Sequence, residues 1–133
     1  MNQIIMIFLF AAITMSSFAQ TQTEMNQTAG EKYSIADKEL NRVYQQILVD
    51  YKKDVNFIKN LKISQRLWIK FRDAELEMKY PESDKRAFYG SMYSMCAAGY
   101  LSKITKQRTE TLKKWLEPIE EGEGCSGSIM YRD

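Results

Sequence analysis

Apolar positions along this chain recur at spacings of three and four residues, the pattern of amphipathic helices. No run alternates apolar and polar residues with the period of two that strands require. Pro81 and Pro118 close two long stretches, and Gly122, Gly124 and Gly127 cluster near the C-terminus. The pattern therefore predicts an all-α protein, a three-helix bundle of long amphipathic helices with an irregular C-terminal tail.

The first predicted helical stretch runs from about Thr21 to Lys53. Thr21 and Glu24 have the spacing of a capping box at its start, and Gly30 favours a break or kink in its middle. Val43 and Leu48 widen its apolar face. The positions that define that face are Tyr33, Asp37, Leu40, Tyr44, Ile47 and Tyr51.

The second predicted stretch runs from about Asp54 to Lys79. Asp54 is a suitable N-cap, and Pro81 ends the helix because proline disfavours helical geometry in the residue before it. Half of its main face is polar, which is unusual for a core seam. That face consists of Ile58, Leu61, Gln65, Trp68, Arg72 and Glu75.

The third predicted stretch runs from about Asp84 to Leu116, with Ser83 as its N-cap and Pro118 as its stop. Its face falls into two halves. The first half contains Phe88, Met92, Met95, Cys96 and Gly99, and the second contains Leu101, Ile104, Arg108, Leu112 and Trp115. Three such helices can bury one another's apolar stripes.

The N-terminal residues have the features of an export signal. The apolar run from Ile4 to Ile13 is too short to span a membrane, and the small residues Ser17 and Ala19 fit a signal-peptidase site. We therefore assign residues 1–19 to a signal peptide, residues 20–116 to the helical domain and residues 117–133 to the tail. The alternative is an uncleaved anchor or a buried helix, because residues 1–3 lack Lys and Arg.

The amino-acid composition excludes several kinds of catalytic and metal site. The chain has 133 residues, no histidine, two cysteines and a formal net charge of +2. Histidine-dependent catalysis and a four-cysteine zinc site are excluded, so we expect no cofactor and no enzymatic activity. Balanced charge argues against a nucleic-acid partner. After removal of the signal peptide no membrane span is expected, and nothing in the sequence sets the oligomeric state.

Export of the chain would change the expected redox state of its two cysteines. Outside the cytoplasm, two thiols favour a disulfide, so Cys96 and Cys125 are expected to pair and to tie the tail back to the third helix. The alternative is two free thiols.

Several polar residues lie on or beside the apolar stripes. A buried arginine is tolerated only when it is paired and hydrogen-bonded, so we interpret this set as an interhelical network. Asp37, Asp73 and Glu75 are its candidate acidic partners. The alternative is an anion-binding or catalytic site. The set is Asn41, Gln65, Arg72, Asp73 and Arg108.

The same positions carry a resemblance to a known family. The central segment, Leu61, Ser64-Gln65-Arg66, Trp68 and Phe71-Arg72-Asp73-Ala74-Glu75, resembles the signature of the LprI-like domain family. Upstream, Asp37, Leu40, Asn41 and Tyr44 look like the family's opening, and Cys96, Thr105, Arg108 and Leu112 look like its closing element. The match covers residues 22–116.

The resemblance implies a small exported all-α domain, with lysozyme inhibition in one branch of the family. The signature positions would then be framework residues: Asp37, Leu40, Asn41, Tyr44, Gln65, Trp68, Arg72, Asp73 and Arg108. Leu76 and Thr28 stand where members commonly carry cysteine, so the usual bridge to Cys96 cannot form. Cys125 is the replacement partner that this departure suggests.

Two functions follow as expectations. The first is a binding domain that inhibits lysozyme, with acidic residues of the tail meeting a basic enzyme. Those residues are Glu117, Glu120, Glu121 and Glu123. The alternative is a structural or interaction protein of the cell envelope. It would bind another protein or cell-wall glycan through the aromatic start of the third stretch, Phe88, Tyr89, Tyr93 and Tyr100.

The signal-peptide assignment is testable on the exported protein. The recovered chain should begin at Gln20, because Ser17 and Ala19 present small side chains to signal peptidase. N-terminal sequencing and intact mass measure this directly. An Ala19→Arg variant should keep its leader, and recovery of the uncleaved wild-type chain would support the anchor instead.

Overall fold

A computed structural model describes residues 2–122 and 124–131, with side chains given from residue 21 onward. The described residues form an all-α bundle, which confirms the predicted fold class. Its elements are α1 (Asn2–Asp50), α2 (Val55–Lys79), α3 (Lys85–Tyr89), α4 (Tyr93–Lys113) and a 3-10 turn (Lys114–Leu116). The expected signal peptide, residues 1–19, lies outside the residues whose side chains are described. None of the described helices is long and apolar enough to cross a membrane.

Helices α1 and α4 pack side by side and run in the same direction. Near one end the Asn26 amide donates to the Ser91 backbone carbonyl at 3.4 Å. Near the other end the Tyr51 hydroxyl donates to the Trp115 carbonyl at 3.0 Å. Small side chains form the buried face of α4, which lets the two helix axes approach closely. They are Ala97, Ser102, Thr105 and Thr109.

The apolar core lies where these two helices meet α2. The stripe predicted for the first stretch supplies most of it, and each fully buried aliphatic side chain contributes roughly 1.5–3 kcal/mol relative to exposure. Tyr44, Trp68 and Trp115 pack around this centre while remaining half-buried. The buried residues are Leu40, Val43, Ile47, Tyr51, Leu61 and Leu112.

Helix α2 runs antiparallel to the other two and forms the third side of the bundle. Asp54 caps its first turn, as predicted, by accepting from the Phe57 backbone N–H at 2.9 Å. Leu61 and Gln65 are buried, and Trp68 and Arg72 continue the same face at half-buried positions. The mixed face predicted for the second stretch is therefore the face that packs inward.

The third predicted stretch is wrong as a single helix. Gly90 adopts a φ of +74°, a region that side chains with a Cβ rarely occupy, and this residue separates α3 from α4. The N-cap is Asp84 rather than Ser83, since its carboxylate accepts from the Ala87 N–H at 2.9 Å. Phe88, on α3, and Met92, at the N-cap of α4, both expected on the core face, are exposed because the break at Gly90 interrupts the helical periodicity that would have aligned them with the face of α4.

The start of the first stretch also differs. Helix α1 is continuous through Thr21 and Gly30, so Thr21 does not begin a helix and Gly30 does not interrupt one. Asn41, expected beside the core, is exposed on α1 and donates to Asp37 at 3.2 Å.

The tail is held by hydrogen bonds that converge on Tyr51. Its buried hydroxyl donates to the Trp115 carbonyl and accepts from the Met130 N–H at 3.1 Å. The Trp115 indole donates to the Ser128 hydroxyl at 3.0 Å, and the Ile119 N–H donates to the Met130 carbonyl at 3.1 Å. Burial raises the pKa of Tyr51, so its hydroxyl stays protonated for this role at neutral pH.

The expected disulfide is absent, and both cysteines are free thiols. Cys96 lies in the first turn of α4, whereas Cys125 belongs to the tail that is held at the far end of that helix. The 17 residues from Cys96 to Lys113 span about 26 Å at 1.5 Å per residue. A disulfide requires Cα atoms within about 7 Å, so hydrogen bonds rather than a covalent bridge hold the tail.

Replacing Tyr51 with Phe should loosen the tail without opening the core. The substitution removes one hydroxyl that serves two backbone groups, so we expect a loss of about 1–2 kcal/mol in the free energy of unfolding. Limited proteolysis should also cut the tail faster. Tyr44→Phe is the matched control, because the Tyr44 hydroxyl has no hydrogen bond within the described part. Equal effects in both variants would contradict this role.

Candidate binding site

Four side chains from two helices form the most closely connected polar group of the bundle. Gln65, Trp68 and Arg72 follow one another at spacings of three and four on α2, so they share a face, and Arg108 meets them from α4. We call these four residues the Trp68 cluster. All of them belong to the family signature quoted above.

Arg108 joins α4 to α2. Its Nε donates to the Gln65 Oε1 at 3.0 Å, and one Nη donates to the Ser64 hydroxyl at 3.0 Å. Its guanidinium carbon lies 5.9 Å from the centre of the Trp68 ring. Burial lowers the pKa of Arg108, yet a guanidinium starts from so high a value that it stays charged.

Arg72 joins α2 to α1. Its guanidinium lies 5.4 Å from the Trp68 ring centre and contacts the Asp73 carboxylate at 2.8 Å. A longer ion pair, 3.8 Å, reaches Asp37 on α1. Burial raises the pKa of the neighbouring Tyr33, and the positive charge of Arg72 opposes that shift. Two cations therefore lie against one indole, with carboxylates beside only one of them.

The acidic residues that the sequence suggested as partners of the two arginines do not all pair with an arginine in the structure. Asp37 and Asp73 both contact Arg72, whereas Glu75 accepts from the Tyr100 hydroxyl at 3.3 Å. Arg108 has no carboxylate partner among the described residues and is held by an amide and a hydroxyl. The other signature residues, Leu40 and Tyr44, lie in and around the core.

A groove of about 470 Å³ lies beside Arg108, between α2, the end of α4 and the tail. Asn56, Asn60 and Ser64 line it from α2 at intervals of four residues. Neither asparagine side chain has a hydrogen-bond partner within the described part of the chain. The aromatic rings of Phe57 and Trp115 form its apolar wall, so the groove combines free amides with aromatic surface. Sequence reasoning missed it, although the polar row at four-residue spacing was its signal.

The described acidic residues of the tail follow Trp115, which lines the groove, but they do not line the groove themselves. Glu117 follows Trp115 by two residues, and Glu117, Glu120 and Glu121 are all exposed. Glu123 lies outside the described residues. Because the tail is hydrogen-bonded to Tyr51 and Trp115, the acidic segment, residues 117–121, is anchored on both sides.

The aromatic start of the third stretch packs largely on itself. Tyr80 meets Tyr89 edge-on at 5.1 Å and Tyr93 at 5.2 Å between ring centres. All three tyrosines are half-buried, and Phe88 beside them is exposed. These ring contacts join the end of α2 to α3 and to the start of α4.

The described residues contain no group of three or more His, Cys, Asp or Glu side chains placed to hold a metal ion. What they do present is a helical framework, a polar groove and an exposed acidic segment. These are the features of a small all-α domain.

Comparison with known proteins identifies the family of this domain. The family model described as "Lysozyme inhibitor LprI" matches residues 14–112, so the chain belongs to the LprI family. It is also similar to an uncharacterized protein of Rhizobium meliloti (strain 1021), with 33% identity over 113 residues that cover 77% of this chain and 78% of the relative. No solved structure matches the chain.

Removing the Arg108 guanidinium should destabilise the bundle. Arg108→Ala leaves the buried Gln65 carbonyl without its donor, so we expect a loss of about 1–3 kcal/mol in the free energy of unfolding. Chemical denaturation monitored by circular dichroism measures this. Arg86→Ala, at an exposed position on α3, should change stability by less than about 0.5 kcal/mol. An unchanged Arg108→Ala variant would indicate a ligand-facing arginine instead of a framework residue.

Proposed function

We propose that the chain is an exported inhibitor of a lysozyme-type enzyme and that it acts by binding. The observation that carries this proposal is the family match, which spans residues 14–112 and so includes the whole Trp68 cluster. In this reading the cluster fixes the relative positions of the three long helices. The binding surface lies elsewhere on the bundle.

The acidic segment supports a particular docking surface. A basic lysozyme is drawn to negative potential, which speeds encounter and orients docking. The chain as a whole has a formal charge of +2, so the attraction must come from a local concentration of carboxylates. Residues 117–121 supply three exposed glutamates within five positions, beginning two residues after Trp115, which lines the groove.

The anchoring of the tail favours binding as well. An anchored segment loses less conformational freedom on docking than a free one, so more of the interaction energy appears as affinity. Tyr51 and Trp115 hold this segment to the bundle, and Trp115 also lines the adjacent groove. We therefore propose that the acidic segment and the groove, which Trp115 connects along the chain, both contribute to docking.

A lysozyme assay on the purified protein tests the proposal. Addition of the protein should slow the clearing of bacterial cell walls by lysozyme. Changing Glu117, Glu120 and Glu121 together to Gln should raise the half-inhibitory concentration at least about tenfold at low salt, a loss of about 1.4 kcal/mol in binding. High salt should shrink the difference between the two proteins, because it screens exposed charges.

The matched control changes three exposed glutamates far from the tail, Glu24, Glu31 and Glu82, to Gln. It removes the same charge and should inhibit like the wild type. An equal loss of inhibition in both variants would show a dependence on total charge and would contradict a specific role of the tail. Absence of inhibition, combined with retention on insoluble cell wall, would favour the glycan-binding alternative, to which the free amides and aromatic rings of the groove are suited.

A further inference from the structure

Helix α2 carries an apolar stripe on the face that points away from the bundle. The stripe repeats at spacings of four, four, three and four residues, which keeps it on one side of the helix. Leu67 is 59% exposed, Phe71 is 60% exposed and Met78 is 73% exposed. The members of this outer stripe are Ile63, Leu67, Phe71, Ala74 and Met78.

The bundle does not need this stripe. Leu61, Gln65 and Trp68 supply the inward face of α2, and most of the outer stripe lies on the other side of the helix. Phe71 is at the edge of the stripe, where it also lines a cavity between α2 and α4. Scattered exposed apolar residues are ordinary, but five in register along one helix form a continuous surface of the kind that marks an interaction site.

A row of charged residues runs along one edge of the outer stripe, at spacings of three and four. Its N-terminal part is basic and consists of Lys59, Lys62, Arg66 and Lys70. Its C-terminal part is acidic and consists of Asp73 and Glu77, whose side chains are 59% and 64% exposed. None of the four basic residues forms an ion pair within the described part of the chain. The edge is therefore polarised, with one sign of charge at each end.

We propose that the outer stripe binds a second copy of this chain, with the two α2 helices antiparallel about a twofold axis. A twofold axis between antiparallel helices brings the same edge of each helix to the same side of the pair. The basic end of one edge then lies beside the acidic end of the other. In this arrangement Lys62 of each copy faces Glu77 of its mate, and Arg66 faces Asp73.

Self-complementarity is the reason to assign a second copy. An interface with twofold symmetry uses one patch twice, so that patch must match itself when reversed. A polarised edge beside a uniform apolar stripe meets that condition. A parallel arrangement about a twofold axis would place the two charged edges on opposite sides of the pair, where they could not contact each other. The existing Lys85–Glu77 contact, at 2.7 Å, leaves the Glu77 side chain largely exposed for a second cation.

Sedimentation equilibrium over a concentration series tests the proposal on the purified protein. The wild type should reach a dimer, and Leu67→Glu should raise its dissociation constant at least about tenfold, because a charge would enter the centre of the stripe. Ile35→Glu is the matched control, since Ile35 is 65% exposed on α1, away from the stripe. It should dimerise like the wild type. Circular dichroism should show that both variants remain helical.

A charge exchange tests the antiparallel register. Lys62→Glu and Glu77→Lys should each weaken the dimer, and the double variant should restore it, because the pairs across the axis are again of opposite sign. A wild type that stays monomeric at every concentration would overturn the proposal. So would a dimer that Leu67→Glu leaves intact, or a double variant weaker than both single ones. Loss of lysozyme inhibition without a change in assembly would assign the stripe to a different partner and also reject a second copy.

Discussion

The close approach of α1 and α4 is the constraint on which the remaining structure depends. Small side chains on α4 allow two parallel helices to lie against each other, and the large aliphatic residues of α1 then fill the core. One buried group is left unsatisfied at this contact, since the Thr105 hydroxyl has no hydrogen-bond partner among the described residues. An unpaired buried hydroxyl is unfavourable, so the packing of the two helices must outweigh it.

The α1–α4 pair sets what α2 can do. Because α2 packs on the outside of that pair, its inward face carries the Trp68 cluster and its outward face is exposed to solvent. The inner face joins three helices through Arg72 and Arg108, whose charges are accommodated by an indole, two carboxylates, an amide and a hydroxyl. The family signature includes residues of both faces, since Trp68 and Arg72 lie on the inner face and Phe71 and Ala74 belong to the outer stripe.

The tail extends the fold without a covalent bond. A single buried tyrosine hydroxyl connects the end of α1, the end of α4 and the tail, and an indole donor adds a second attachment. This arrangement places the acidic segment beyond residues 14–112, which the family match covers, whereas the groove is lined mostly by residues within that range.

The sequence by itself determined the fold class, the bounds and cap of α2, and the core stripe of α1, because each follows from local periodicity and local hydrogen bonding. It also identified the signature residues that assemble into the Trp68 cluster. Only the tertiary structure decided which face of α4 is buried, since small polar residues carry no hydrophobic signal and are buried by close helix contact. The tertiary structure likewise decided that the two cysteines do not pair. Their pairing depends on where the tail lies along the bundle, and that is set by Tyr51, 45 residues before Cys96 in the chain.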